Sequence, residues 1–214
     1  MDQEPATSFE ASDVIAMFPT LVWKLQLNPA ARDSIETEVL ALLETLRRGK
    51  PPLLAGEGWQ SEQNLHRRQE MRDLTAHFDQ AARGILRFWH IGYDAFEITG
   101  CWLNVLVKGA AHRLHAHPNN FLSGVYYVRT HPGANTINFH DPRVQTGIIR
   151  PPVTELTNEN TDQVAVSVSD GTLLLFPAYV QHSVDPSASD RERISVSFNV
   201  MFSSFTENMS KPLW

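Results

Sequence analysis

From residue 97 onward the chain is a succession of short runs rich in β-branched and aromatic residues, and this half limits what the molecule can become. The runs are EITGCWLNVLV (97–107), FLSGVYYVRT (121–130), NTINFHD (135–141), GIIRPPV (147–153), QVAVSVSD (163–170), TLLLFPAYVQHSV (172–184) and RISVSFNVMF (193–202). HPG, TNEN, SDG and DPSASD separate several of them and supply turn chemistry. So many strands at such close spacing predict an antiparallel sandwich or barrel of the jelly-roll type.

The first half reads differently. Residues 1–12 are polar and read as a flexible tail. In FPTLVWKLQL (18–27), Leu21, Trp23, Leu25 and Leu27 alternate with Thr20, Val22, Lys24 and Gln26, the period of a half-buried strand. Ile35, Val39, Leu42, Leu43 and Leu46 then fall at helical spacing, with Asn28 as cap, Pro29 in the first turn and RRGKPP as the stop. GEGWQSEQNL (56–65) reads as a loop. A second helix is expected over about 70–90, with Met71, Leu74, Phe78, Ala81, Ile85 and Trp89 on one face. The expectation is an α+β fold in one domain over 13–214, with a strand and helices in 13–91 covering one face of a jelly roll in 92–205.

Composition narrows the function classes. With 42% hydrophobic and 20% charged residues the chain is ordinary globular material. A formal charge of −6 gives no general attraction to nucleic acid or anionic membrane. No apolar run approaches the ~20 residues that span a bilayer, and the N-terminus lacks a basic start followed by an apolar stretch. The single cysteine, Cys101, lies in an apolar run and reads as a buried small side chain in a reducing compartment. A cytoplasmic protein is expected, and exposed strand edges permit a homodimer.

Three of the nine histidines fall within HRLHAHP (112–118). If 114–117 are extended, His115 and His117 leave the same face of the strand while His112 has the other parity. Two imidazoles so placed can chelate one metal ion if a third ligand arrives from elsewhere, and His182 is the candidate; alternatively one hydrogen-bonds locally and the rest are solvated. His66, His77, His90 and His131 read better as surface or core histidines, and His140 could line a pocket. In the last run Arg193, Ser195, Ser197 and Asn199 share one face, and Ile194, Val196, Phe198 and Val200 the other. A guanidinium inside a barrel requires an anion, because an unpaired buried charge is costly; a carboxylate is its natural partner. The same pattern also suits a surface arginine over a solvated strand face.

Together these features resemble the Fe(II)/2-oxoglutarate-dependent oxygenases, in a bacterial-type branch with the pattern WLNVL…G…H-x-HP…SG-x-YYV…F-x-DPR…FP…H-x-V…R-x-SVSFN. FPTLVWK and GWQS also resemble that branch. The resemblance implies a double-stranded β-helix (jelly-roll, cupin-like) core and a dioxygenase that hydroxylates its substrate. It implies His115, His117 and His182 as Fe(II) ligands, and Arg193, with Ser195 beside it, as the partner of the distal carboxylate of 2-oxoglutarate. Tyr127 would hydrogen-bond the same carboxylate, and Asn104 would be a weaker contact to cosubstrate or substrate. His117 stands where most of the family carries a carboxylate. Three imidazoles also serve zinc sites and iron dioxygenases that do not use 2-oxoglutarate, and a non-catalytic carboxylate-binding barrel is the third reading. The substrate is not legible; Trp59, Trp102 and His140 are pocket candidates. Asp185, in VDP, reads as the start of a turn.

Overall fold

A computed structural model describes residues 10–93, 95–143, 148–149 and 151–206. Most of the tail expected over 1–12 lies outside them, as does part of GIIRPPV, whose described residues form no strand. The elements in order are β1 (Trp23–Gln26), α1 (Pro29–Arg47), β2 (Gly58–Gln60), α2 (Arg72–Phe88), β3 (Phe96–Leu106), β4 (His112–His115), β5 (Leu122–Arg129), β6 (Thr136–His140), β7 (Gln163–Ser167), β8 (Thr172–Pro177), β9 (His182–Val184), β10 (Arg193–Phe202) and α3 (Ser203–Thr206).

The helices form where capping and periodicity predict. The Asn28 side chain accepts a hydrogen bond from the Ala31 amide at 3.0 Å, satisfying one of the donors a helix start leaves open. Ile35, Val39, Leu42 and Leu43 of α1, and Leu74, Phe78, Ala82, Ile85 and Leu86 of α2, are buried. On α2 the face turns slightly from expectation: Ala82 is buried and Ala81 only partly so. None of the helices among the described residues is long and apolar enough to cross a membrane.

Two antiparallel sheets form the jelly roll, a six-stranded one in the order β1-β8-β5-β10-β3-β2 and a four-stranded one in the order β4-β9-β6-β7. The helices pack on the outer face of the larger sheet. Leu103, Val105, Tyr126, Leu173, Val196 and Phe198 join the helical residues in that core. Val125, Tyr127, Ile137, Phe139, Leu174 and Phe176 fill the space between the sheets. Strand alternation thus assigns Tyr126 to the helices and Tyr127 to the barrel interior. Cys101 is fully buried on the helical side, and burial pushes its thiol up to about 12, which removes it from nucleophilic chemistry.

Three features depart from the sequence expectation. FPTLVWKLQL yields only four residues of strand, β1, with Trp23 set edge-on against Trp89 at 4.6 Å between ring centroids. GWQ, expected in a loop, forms β2 because β3 offers it a pairing edge. TLLLFPAYVQHSV is not one strand. After Pro177 the chain turns, with the Val180 amide donating to the Pro177 carbonyl at 2.9 Å, and passes from the larger sheet to the smaller one. That crossing delivers His182.

Gly124 marks a tight approach. Phe198 stacks on Phe78 with centroids 3.8 Å apart, and a Cβ on Gly124 would run into the Phe198 ring. Gly124→Ala is expected to lower stability by about 1–3 kcal/mol, the usual cost of overpacking. The check is a urea midpoint shifted down at unchanged slope.

Candidate metal and carboxylate site

His115 ends β4 and His182 begins β9, and the two are direct cross-strand partners. His117 follows in the β4–β5 loop, where its amide donates to the Ala178 carbonyl at 3.0 Å, tying it to the turn that precedes His182. The three side chains each bring one nitrogen to within 4.8 Å of the others. Ring centroids lie 4.3 Å apart for His115 and His182, 5.1 Å for His115 and His117, and 5.2 Å for His117 and His182.

Local carbonyls set the tautomers of two of these rings. His115 Nδ1 lies 2.7 Å from the Arg113 carbonyl and His182 Nδ1 lies 3.0 Å from the Val180 carbonyl. A carbonyl only accepts, so Nδ1 carries the proton and Nε2 presents its lone pair. Metal-binding imidazoles are oriented in this way. The donor set therefore fits a transition metal. Burial, reinforced by His115, depresses His117 to about 4. Burial depresses His182 to about 3, with the Val180 carbonyl opposing and the neighbouring histidines adding to the shift.

The space beside the triad is lined by His112, His117, Tyr127, His182, Arg193, Ser195 and Ser197 together with apolar residues of both sheets. Arg193 is 4% exposed, and no carboxylate pairs with it among the described residues. Its Nη1 donates to the Thr136 carbonyl at 2.9 Å, and its guanidinium carbon sits 5.1 Å from the Tyr127 ring centroid. The Tyr127 hydroxyl is buried and has no hydrogen-bond partner among the described residues. Burial pushes it up to about 12, with Arg193 opposing, so it remains a donor. The Tyr126 hydroxyl on the helical side is equally unpartnered; the orphan on Tyr127 gains meaning from the cation beside it.

Other candidates are placed elsewhere or are already engaged. Asn104 is wired at both ends of its amide, accepting from Gln60 at 2.8 Å and donating to Ser197 at 2.9 Å. Trp102 is buried 6.0 Å from the His117 ring, Trp59 lies on the helical side under Lys50, and His140 bonds Ser183. Asp185 is exposed and takes a hydrogen bond from Asn138. The parity argument misplaces His112. β4 and β9 slip register between His112 and His115, so three steps on one strand match two on the other, and the extra residue turns His112 back into the cavity.

Residues 100–199 match a family model described as "Putative 2OG-Fe(II) oxygenase". Over these residues, just under half of the chain, the sequence is similar to the 2OG-Fe(II) oxygenases. No curated protein sequence matches the chain. Among solved structures, a Pseudomonas putida prolyl-4-hydroxylase is 17% identical, with a TM-score of 0.57 over 86% of this chain and 93% of that one. The carbocyclase SnoK of nogalamycin biosynthesis, described as alpha ketoglutarate dependent, is 14% identical, with a TM-score of 0.63 over 86% and 80%. HygX from Streptomyces hygroscopicus, solved with nickel and 2-oxoglutarate, is 11% identical, with a TM-score of 0.59 over 86% and 83%. At these identities the likeness is one of fold, a double-stranded β-helix.

The depressed histidines of this site make acid stability testable. In the unfolded chain each takes a proton near 6.5, whereas in the folded protein His117 does so only near 4 and His182 near 3. As pH falls below 6.5 the unfolded state binds more protons, so stability falls with it. Metal-free protein is expected to lose melting temperature between about pH 6.5 and 5, above the usual carboxylate range. His182→Gln is expected to flatten that slope.

Proposed function

We propose that the protein is an Fe(II)- and 2-oxoglutarate-dependent dioxygenase that hydroxylates its substrate. The observation that carries this reading is a three-imidazole cluster that opens, through His117 and His182, on a cavity holding a buried guanidinium without a carboxylate partner among the described residues. When bound, iron with 2-oxoglutarate supplies the oxidative chemistry, in which decarboxylation of the oxo acid to succinate and CO2 is coupled to oxidation of a substrate.

The chain's own residues divide the remaining work. His115 and His182 would hold the metal through Nε2, their Nδ1 protons being committed to local carbonyls, and His117 would be the third ligand. Arg193 would take the far carboxylate as a charge-assisted pair, with the Tyr127 hydroxyl as a second donor and Ser195 beside it. The apolar walls from Leu106, Val125, Ile137, Phe176 and Val184 would keep water from that pair, where electrostatic interactions are stronger. Asn104, through Ser197, would hold the polar floor in register.

One feature favours a second reading. All three candidate ligands are neutral, whereas the 2-His-1-carboxylate set of non-heme iron oxygenases carries a negative charge. A three-imidazole site also suits zinc, or iron without 2-oxoglutarate. Absorption spectra under anaerobic conditions separate the readings. Fe(II) with 2-oxoglutarate is expected to give a visible charge-transfer band, lost in His115→Ala and shifted to at least roughly tenfold higher 2-oxoglutarate in Arg193→Ala, as removal of a charge-assisted hydrogen bond requires. Metal-loaded protein without the band would sink the 2-oxoglutarate reading. Metal analysis of untagged protein showing zinc alone would sink the iron reading.

A further inference from the structure

The β4–β9 ladder carries two rungs beside the metal cluster and the cavity. His115 and His182 form the first; His112 and Val184 form the second, beyond the bulge. Arg113 and Leu114, between the rungs, are exposed. Val184 and His112 line the cavity together with Leu106 and Arg193, which are themselves cross-strand partners on the larger sheet. The ladder thus runs from the metal cluster toward the arginine.

His112 stands off the metal cluster: the group whose ligand atoms fall within 4.8 Å of one another is His115, His117 and His182. Its ring centroid is 6.4 Å from that of His115. No hydrogen bond to another described residue holds its ring. Its cavity neighbours include the Arg193 guanidinium, which only donates, and the Tyr127 and Ser195 hydroxyls, and no carboxylate is among the described lining residues. The hydroxyls can accept as well as donate, but the guanidinium only donates, and an anionic oxygen is the acceptor that the described residues of the cavity lack.

We propose that His112 is a binding residue of this cavity, donating a ring N–H to the carboxylate that Arg193 holds. The proposal rests on the dicarboxylate reading of the cavity and adds a residue to it. The bulge is what makes the contact available, since regular pairing would turn His112 to solvent.

The test measures two affinities on the same variants: Fe(II) binding without 2-oxoglutarate, and anaerobic 2-oxoglutarate binding to the Fe(II)-loaded protein by its absorption band. His112→Ala is expected to weaken 2-oxoglutarate roughly tenfold or more, the loss of one hydrogen bond to a charged group, while Fe(II) affinity and melting temperature hold. His112→Gln, which keeps a donor, is expected to restore most of the loss. Unchanged 2-oxoglutarate affinity in His112→Ala overturns the proposal, as does a loss that His112→Gln does not repair. Fe(II) affinity falling as far as in His115→Ala would make His112 a metal ligand and overturn it too. Wild-type protein that binds Fe(II) but no 2-oxoglutarate would instead refute the underlying reading, and with it this one.

Discussion

Arg193 is a buried cation, and among the described residues it meets a backbone carbonyl and an aromatic face in place of a carboxylate. Removing an ion from water costs several kcal/mol even after relaxation. A fold tolerates such a group when the surroundings hold it fixed. β10 meets that demand by being central: it is paired with β3 along its length, Arg193 facing Leu106, and with β5 from Ile194 to Val200, so Arg193 is held in one ladder and its neighbour in two. The apolar face of the same strand anchors the helices through Val196 and Phe198, and its polar face gives the barrel interior its chemistry.

The candidate metal cluster follows a different rule, built from local contacts at the meeting of two strands. His115 and His182 each bond a carbonyl two residues earlier in their own chain segment. Their ring orientation is therefore decided by short backbone stretches, and cross-strand pairing then sets one ring beside the other. His117 comes from a loop and is positioned by its backbone contact with Ala178. Its neutrality at ordinary pH comes from burial, with His115 adding to the effect.

Much of this was legible in the sequence where the period of a single element carries the information. The alternation Arg193, Ser195, Ser197, Asn199 names the inner face of β10, and the pair Asn28–Pro29 names the start of α1. H-x-H with a distant histidine names the residues that the fold gathers. What the sequence hides are the features decided by pairing partners. β2 exists because β3 has an open edge. The strand run beginning at Thr172 breaks after Pro177 because its continuation belongs to the other sheet. The bulge in β4 shows only against β9, so His112 looked like a residue of the wrong parity. Strict alternation was the right rule for β10 and the wrong one for β4, and only the ladder tells them apart.

That bulge makes chain length a chemical variable. Most changes to a binding cavity replace one side chain with another. Here one residue added to β9 between His182 and Val184 would match three steps with three, restore regular pairing and turn the imidazole out of the cavity with its identity intact. A relative could shed one donor group by a three-nucleotide insertion beside Ser183, without replacing a single residue that lines the site.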